Sequence, residues 1–276
     1  MQPVGPIDVL ALFPEERAAL VDLLSSLDDG GWSSPTVCDG WSVKDLAGHV
    51  IGDDIGVLSR GRDGHRWWQA DPPAYADLVA AINSENESWV RAMRRCSPRV
   101  VLDLLRQSGE WALAHFRLLN AHAIGGPVSW AGPQPAPVWL DVAREYTERW
   151  AHQQQIRDAV ARPGLKDARH FAPVLDTYVR ALPHTYRDLI RDDGTVVELL
   201  ITGEAGGTWS LRCESGDWTL YTGSDGDAAA SVTIDQDRAW RLMTNGLSRA
   251  EAEGAVTIQG DRGLGERALE VVSIIA

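Results

Sequence analysis

The chain has 276 residues, 44% hydrophobic and 24% charged, which is enough apolar material for two ordinary domains rather than one. A formal charge of −13 argues against non-specific binding to nucleic acid, whose phosphates the average surface would repel. No run approaches the roughly 18–20 apolar residues that a membrane span requires.

The N-terminal stretch MQPVGPIDVLALFPEE lacks a basic segment followed by a long apolar core, so no signal peptide is expected. The cysteines, Cys38, Cys96 and Cys213, are odd in number and none lies in a CxxC pair. That pattern fits free thiols in a reducing cytoplasm better than a disulfide framework. Among 26 basic residues only Lys44 and Lys166 are lysine, a bias toward arginine that points to a GC-rich genome.

In chain order, leucines at helical spacing predict a helix over 7–28, closed by Asp28-Asp29-Gly30-Gly31. After an irregular stretch from Trp32 to Trp41, Ser42 and Asp45 form a capping-box pattern for a helix reaching about Ser59. A turn-rich loop is expected over 61–73 and a third helix over 74–95. Ser97-Pro98 then opens a fourth helix to about 119. Residues 125–137, with four prolines, are expected to be irregular, and a last helix fits 138–160. Long helices without a strand pattern read as a helical bundle.

Beyond residue 165 the texture changes. A helix is expected over 168–191, followed by short β-branched runs at 196–202, 208–213, 218–222, 230–234 and 255–259. Helical segments at 235–246 and 262–275 complete a small α+β domain. The expected organisation is a helical domain over 1–164 and an α+β domain over 165–276.

Glu148 and His152 stand four residues apart in the last helix of the first half, so they project from adjacent turns of one face. A carboxylate and an imidazole at that spacing can hold one ion, although such pairs are also common on solvated faces. His49 lies among Leu46, Val50 and Ile51, where a hydrogen-bonded core histidine is the simpler reading. Two antiparallel helices can bring the three together as a His₂Glu set, the donor set of zinc sites with an open position. No HExxH motif is present.

Trp32 to Val50, WSSPTVCDGWSVKDLAGHV, resembles the N-terminal signature of mycothiol-dependent maleylpyruvate isomerases, and Glu148-Arg149-Trp150-Ala151-His152 matches their second signature. The resemblance implies a DinB-like four-helix bundle that holds a divalent metal, zinc first, through His49, Glu148 and His152. The segment WRLMTNGLSRAEAEGAVTIQGDRGLGERALEVV is similar to the sterol-carrier-protein-like domain that follows the bundle in this family. Relatives often carry an aspartate where this chain has Gln155, which accepts a hydrogen bond without raising a ligand's basicity as a carboxylate does.

The activity implied is metal activation of a low-molecular-weight thiol, mycothiol, for cis–trans isomerisation of a maleylpyruvate-like substrate or for S-transfer. The implied partners are thus the thiol and a small molecule, with no nucleic acid and no membrane. Arg238 and Arg241 are candidates to hold a substrate carboxylate, with Arg249 beside them; surface arginines usually do nothing specific. The rival reading is a non-catalytic metal-containing protein that binds a lipid or other small molecule. Four protein ligands and no open position would favour that rival. Asp53, Asp54, Arg149 and Cys38 are near the ligands in sequence. Trp89, Trp111 and Trp150 are expected in the core or a pocket wall, and His115 and His122 give little ground for a second metal site.

Overall fold

The computed structural model describes residues 1–65 and 75–273. A short strand β1 (Gln2–Pro3) precedes helices α1 (Phe13–Ser25), α2 (Asp29–Ser33) and α3 (Val43–Val57). α3 runs on into a π-helical turn, Leu58–Arg62, and α4 (Tyr75–Met93) and α5 (Pro98–Phe116) follow. Strands β2 (Ile124–Pro127) and β3 (Pro135–Pro137) lead to the long α6 (Val138–Ala159). The remainder comprises α7 (Ala168–Tyr178), α8 (Leu182–Tyr186), β4 (Val196–Thr202), β5 (Gly207–Glu214), β6 (Asp217–Thr222) and β7 (Ala230–Asp235). It closes with α9 (Gln236–Met243), α10 (Arg249–Ala255), β8 (Val256–Gly260) and α11 (Arg262–Arg267).

Two compact units result. A helical unit contains Val9–Asn120 and Glu145–Leu165, and a sheet unit contains Met1–Asp8, Ala121–Arg144 and the chain from Lys166 onward. The fold class is therefore a helical bundle with an α+β partner, as the sequence patterns predict. The N-terminal strand and the segment before Glu145 group with the sheet unit, a partition that no single cut along the chain describes.

In the helical unit, the start signals work as expected. Ser42 accepts from the Asp45 amide while the Asp45 carboxylate accepts from the Ser42 amide, so both orphan donors at the head of α3 are satisfied. Ser97 caps α5 with Pro98 in the first turn. α1 is shorter than the leucine pattern suggests. It opens at Phe13, with Pro14 in the first turn where its missing N–H costs nothing. Leu20, Leu24, Val43, Leu46, Ala47, Val50, Val101, Leu105 and Ile156 form the fully buried centre of this unit. Each of these valine, leucine and isoleucine side chains contributes roughly 1.5–3 kcal/mol by leaving water. The expected loop over 61–73 falls outside the described residues from position 66 on, as does the first residue of the helix expected over 74–95.

The sheet unit holds a six-stranded sheet in the order β1-β6-β5-β4-β7-β8, in which only β4 and β7 run parallel. Alternation sets its buried face: Val197, Leu199 and Ile201 on β4 meet Trp209 and Leu211 on β5 and Val232 and Ile234 on β7. Gly260 ends β8 at φ +77°, and a Cβ there would overlap the Ala229 carbonyl oxygen, so only glycine fits.

Three expectations change here. Residues 125–137 are not wholly irregular, because β2 and β3 pair as a short ribbon. Backbone donors just past the prolines extend it, Val138 to the Ala123 carbonyl and Trp139 to that of Ala121, so the missing proline N–H groups are not called upon. The helix expected over 168–191 breaks into α7, a 3₁₀ turn and α8, with Pro183 at the new start, and ends at Tyr186. The helix expected over 262–275 ends at Arg267, passes through a 3₁₀ turn at Ala268–Glu270 and becomes extended; its last two expected residues lie outside the described ones.

Candidate metal centre

α3 and the part of α6 from Glu145 onward supply the site, both within the helical unit. His49 and Asp53 stand one turn apart on α3, and Glu148 and His152 one turn apart on α6. His49 Nε2 lies 3.6 Å from Asp53 Oδ2, and His152 Nε2 lies 3.9 Å from Glu148 Oε2. The two imidazoles meet edge to face, with ring centroids 4.7 Å apart at 84°. Ligand atoms of His49, Asp53 and His152 all lie within 4.8 Å of one another. The fold thus brings together the two histidines singled out from the sequence and adds Asp53, whereas Glu148 stands beside His152 but outside that group.

Protonation and hydrogen bonding prepare these groups for a cation. Burial pushes His49 down to about 4; the Asp53 carboxylate opposes this and the neighbouring His152 and Arg149 reinforce it, so at neutral pH the ring is uncharged. A neutral imidazole is the form that ligates. His152 Nδ1 lies 2.9 Å from Gln155 Oε1, which can only accept, so Nδ1 is the donor of that pair and Nε2 is the nitrogen turned toward Glu148 and a prospective ion. The Cys38 thiol donates to the same amide oxygen at 3.5 Å, and burial raises its pKa, which keeps it a thiol. Asp53 Oδ2 is buried and has no hydrogen-bond partner. A buried carboxylate oxygen without a donor, beside two imidazoles with available nitrogens, fits a divalent cation.

The next residues along both helices face the other way, into the core. Asp54 is completely buried and accepts from Arg17 of α1 at 2.8 Å, Ser108 of α5 at 2.6 Å and Arg149 of α6 at 2.7 Å. Arg149 also donates to the Glu145 carboxylate at 2.7 Å and lies 5.8 Å from the Phe13 ring centroid. One carboxylate therefore ties four helices, and the Asp54–Arg149 pair joins α3 to α6 directly beside the candidate ligands.

Burial alone raises the Asp54 carboxyl, but Arg149 and Arg17 outweigh it and bring it down to about 2. Its folded value lies below that of an unfolded aspartate, so the stabilisation is present above about pH 4 and is lost as pH falls toward 2. Urea unfolding between pH 5 and pH 2.5 is expected to show the helical unit losing on the order of 2 kcal/mol from this group. An Asp54→Asn variant should lack that component of the pH dependence.

Other residues singled out from the sequence lie elsewhere. Arg238 is exposed on α9 of the sheet unit, and the Arg241 guanidinium lies 4.4 Å from the Trp240 ring centroid. Arg249 is exposed and pairs with Glu253 at 2.7 Å. α5 ends between His115 and His122, so no shared face presents them to one ion. Trp150 is fully buried and Trp89 partly buried, but Trp111 is 47% exposed, contrary to the expectation of a core or pocket role.

A family model described as mycothiol maleylpyruvate isomerase N-terminal domain matches residues 13–157, which include every candidate ligand. No curated protein matches the chain. Among solved structures, the crystal structure of the mycothiol-dependent maleylpyruvate isomerase aligns with a TM-score of 0.54 at 14% identity, over 91% of each chain. A histidine-to-alanine mutant of that isomerase aligns with a TM-score of 0.53 at 13% identity, again over 91% of each chain. At such identity these likenesses bear on the fold alone.

Proposed function

The chain belongs to the mycothiol maleylpyruvate isomerase N-terminal domain family, and on that premise we propose that it is a metal- and mycothiol-dependent isomerase of a maleylpyruvate-like substrate. The observation that carries this reading is the convergence of His49 and His152, each with Nε2 facing a carboxylate, within the segment that defines the family. His49, Glu148 and His152 are the proposed ligands, and zinc suits an imidazole and carboxylate donor set.

A bound divalent ion supplies one thing, stabilisation of a thiolate at neutral pH, where a free thiol of pKa about 8.5 is only a few per cent ionised. The protein's own residues prepare for it. His49 arrives without a proton to lose, and Gln155 holds His152 with Nε2 free. Gln155 is neutral, so it orients His152 without adding the charge that an aspartate would place behind the ring. The proposed reaction is addition of the thiolate sulfur to a cis double bond, rotation about the resulting single bond, and loss of the sulfur to leave the trans alkene. The thiol is regenerated, so no oxidant or reductant is consumed.

The test is an assay of the zinc-loaded protein with maleylpyruvate. Isomerisation that requires mycothiol and disappears in His49→Ala is the expected result. A rate independent of the thiol would contradict the proposal.

A further inference from the structure

Resting on the metal site proposed above, we infer that Asp53 is a fourth protein ligand in the resting site and that the incoming thiol takes its place.

The spacing of the donors supports this. Two donors about 2.0–2.2 Å from one tetrahedral ion stand roughly 3.3–3.6 Å apart. Asp53 Oδ2 and His49 Nε2, at 3.6 Å, lie within that range, whereas Glu148 Oε2 and His152 Nε2, at 3.9 Å, lie just outside it. Helix geometry makes the arrangement symmetrical: α3 offers His49 and then Asp53, and α6 offers Glu148 and then His152, each pair one turn apart. With the proposed ligand Glu148 added, the cluster of His49, Asp53 and His152 would make a two-histidine, two-carboxylate set.

Asp53 has no competing task. Its separation from His49 Nε2 exceeds hydrogen-bond distance, so it does not fix that ring's tautomer. Its Oδ2 accepts from no other group although the atom is shielded from water. Asp54, by contrast, has its oxygens filled by Arg17, Ser108 and Arg149, which leaves Asp53 as the carboxylate of the pair that faces the imidazoles. An oxygen in that state is costly unless a cation satisfies it.

Four protein donors complete a tetrahedral zinc sphere, which if permanent would be that of a structural metal, so a thiol can enter only if one of them leaves. Asp53 is the candidate to leave. Its side chain is 26% exposed, against 21% for Glu148, 13% for His152 and 8% for His49, and it has no hydrogen bond holding it in place. In the exchange the sulfur–metal bond replaces the Asp53 oxygen–metal bond, and the thiol proton passes to the freed Asp53 carboxylate. No electrons change hands. Elimination of product reverses the step, with the proton available for return.

The test compares wild type, Asp53→Asn and Asp53→Ala, with apo-protein unfolding as the check on folding. Zinc affinity should fall by at least about tenfold in both variants, the low end of what losing even an outer hydrogen-bond partner costs. In the cobalt-loaded proteins, the thiol-free visible spectra of wild type and Asp53→Asn should differ, and the mycothiol-saturated spectra should coincide. Unchanged zinc affinity and identical thiol-free spectra would overturn the ligand assignment. Spectra that still differ at thiol saturation would overturn the exchange. Failure of the wild type to bind zinc would instead strike at the metal site itself.

Discussion

Asp54→Asn is expected to destabilise the helical unit by about 3–5 kcal/mol, the usual cost of removing one partner from a buried ion pair. The substitution keeps the shape and removes the charge. Arg17 and Arg149 would then face each other's positive charge in the core, with Glu145 still paired to Arg149. Asp54 is fully buried and the Arg149 side chain is 1% exposed, so water cannot screen the loss. An amide accepts through one oxygen, so it cannot serve Arg17, Ser108 and Arg149 together as the carboxylate does. Ser108→Ala removes a single donor to the carboxylate and should cost less, about 1.5–3 kcal/mol. Urea titrations of the apo-proteins, followed by far-ultraviolet circular dichroism, distinguish these magnitudes. If Asp54→Asn costs no more than Ser108→Ala, the two guanidiniums are not dependent on Asp54 and this view of the core is wrong.

The second large effect is on metal affinity. His152→Ala should weaken zinc binding by more than about 100-fold, beyond the range associated with outer hydrogen-bond partners. His152 is oriented by Gln155 and stands at the junction of the two pairs, 4.7 Å from the His49 ring and 3.9 Å from Glu148. Its removal takes one of the two nitrogen donors of the proposed site. Gln155→Ala should act more mildly, by roughly 10- to 100-fold, because the imidazole remains and only its orientation is freed. Apo stability should change little in either variant, since neither side chain takes part in the Asp54 network. Competition titrations with a chromophoric chelator measure both. A His152→Ala protein that holds zinc as tightly as wild type would remove His152 from the ligand set.

Much of this was readable before any coordinates, and the reasons are local. Capping residues such as Ser42, Asp45 and Ser97 act within one turn, so helix starts follow from the sequence alone. The spacing of Glu148 and His152 becomes a geometric statement once a helix is assumed. What was not readable depends on which way neighbouring residues turn. Asp53 and Asp54 are chemically identical and adjacent, yet one faces the imidazoles and the other anchors four helices. Only the packing of α1, α5 and α6 around α3 separates them. The sequence leaves the direction of Arg149 open, and its burial is intelligible only once Asp54 is seen opposite it. The strand pairing of Gln2 and Pro3 with Tyr221 and Thr222 spans almost the whole chain, and no local pattern announces it. The proline-rich ribbon escaped for the opposite reason: proline density suggested a breaker, while the pairing uses donors just beyond the prolines.

The central claim is that His49, Glu148 and His152 hold a divalent ion on which a thiol is activated. Titration of the cobalt-loaded protein with mycothiol tests it most directly. A sulfur-to-cobalt charge-transfer band in the near ultraviolet is expected, saturating at one thiol per metal and absent from His152→Ala. A cobalt-loaded wild-type protein whose spectrum does not respond to mycothiol would contradict it.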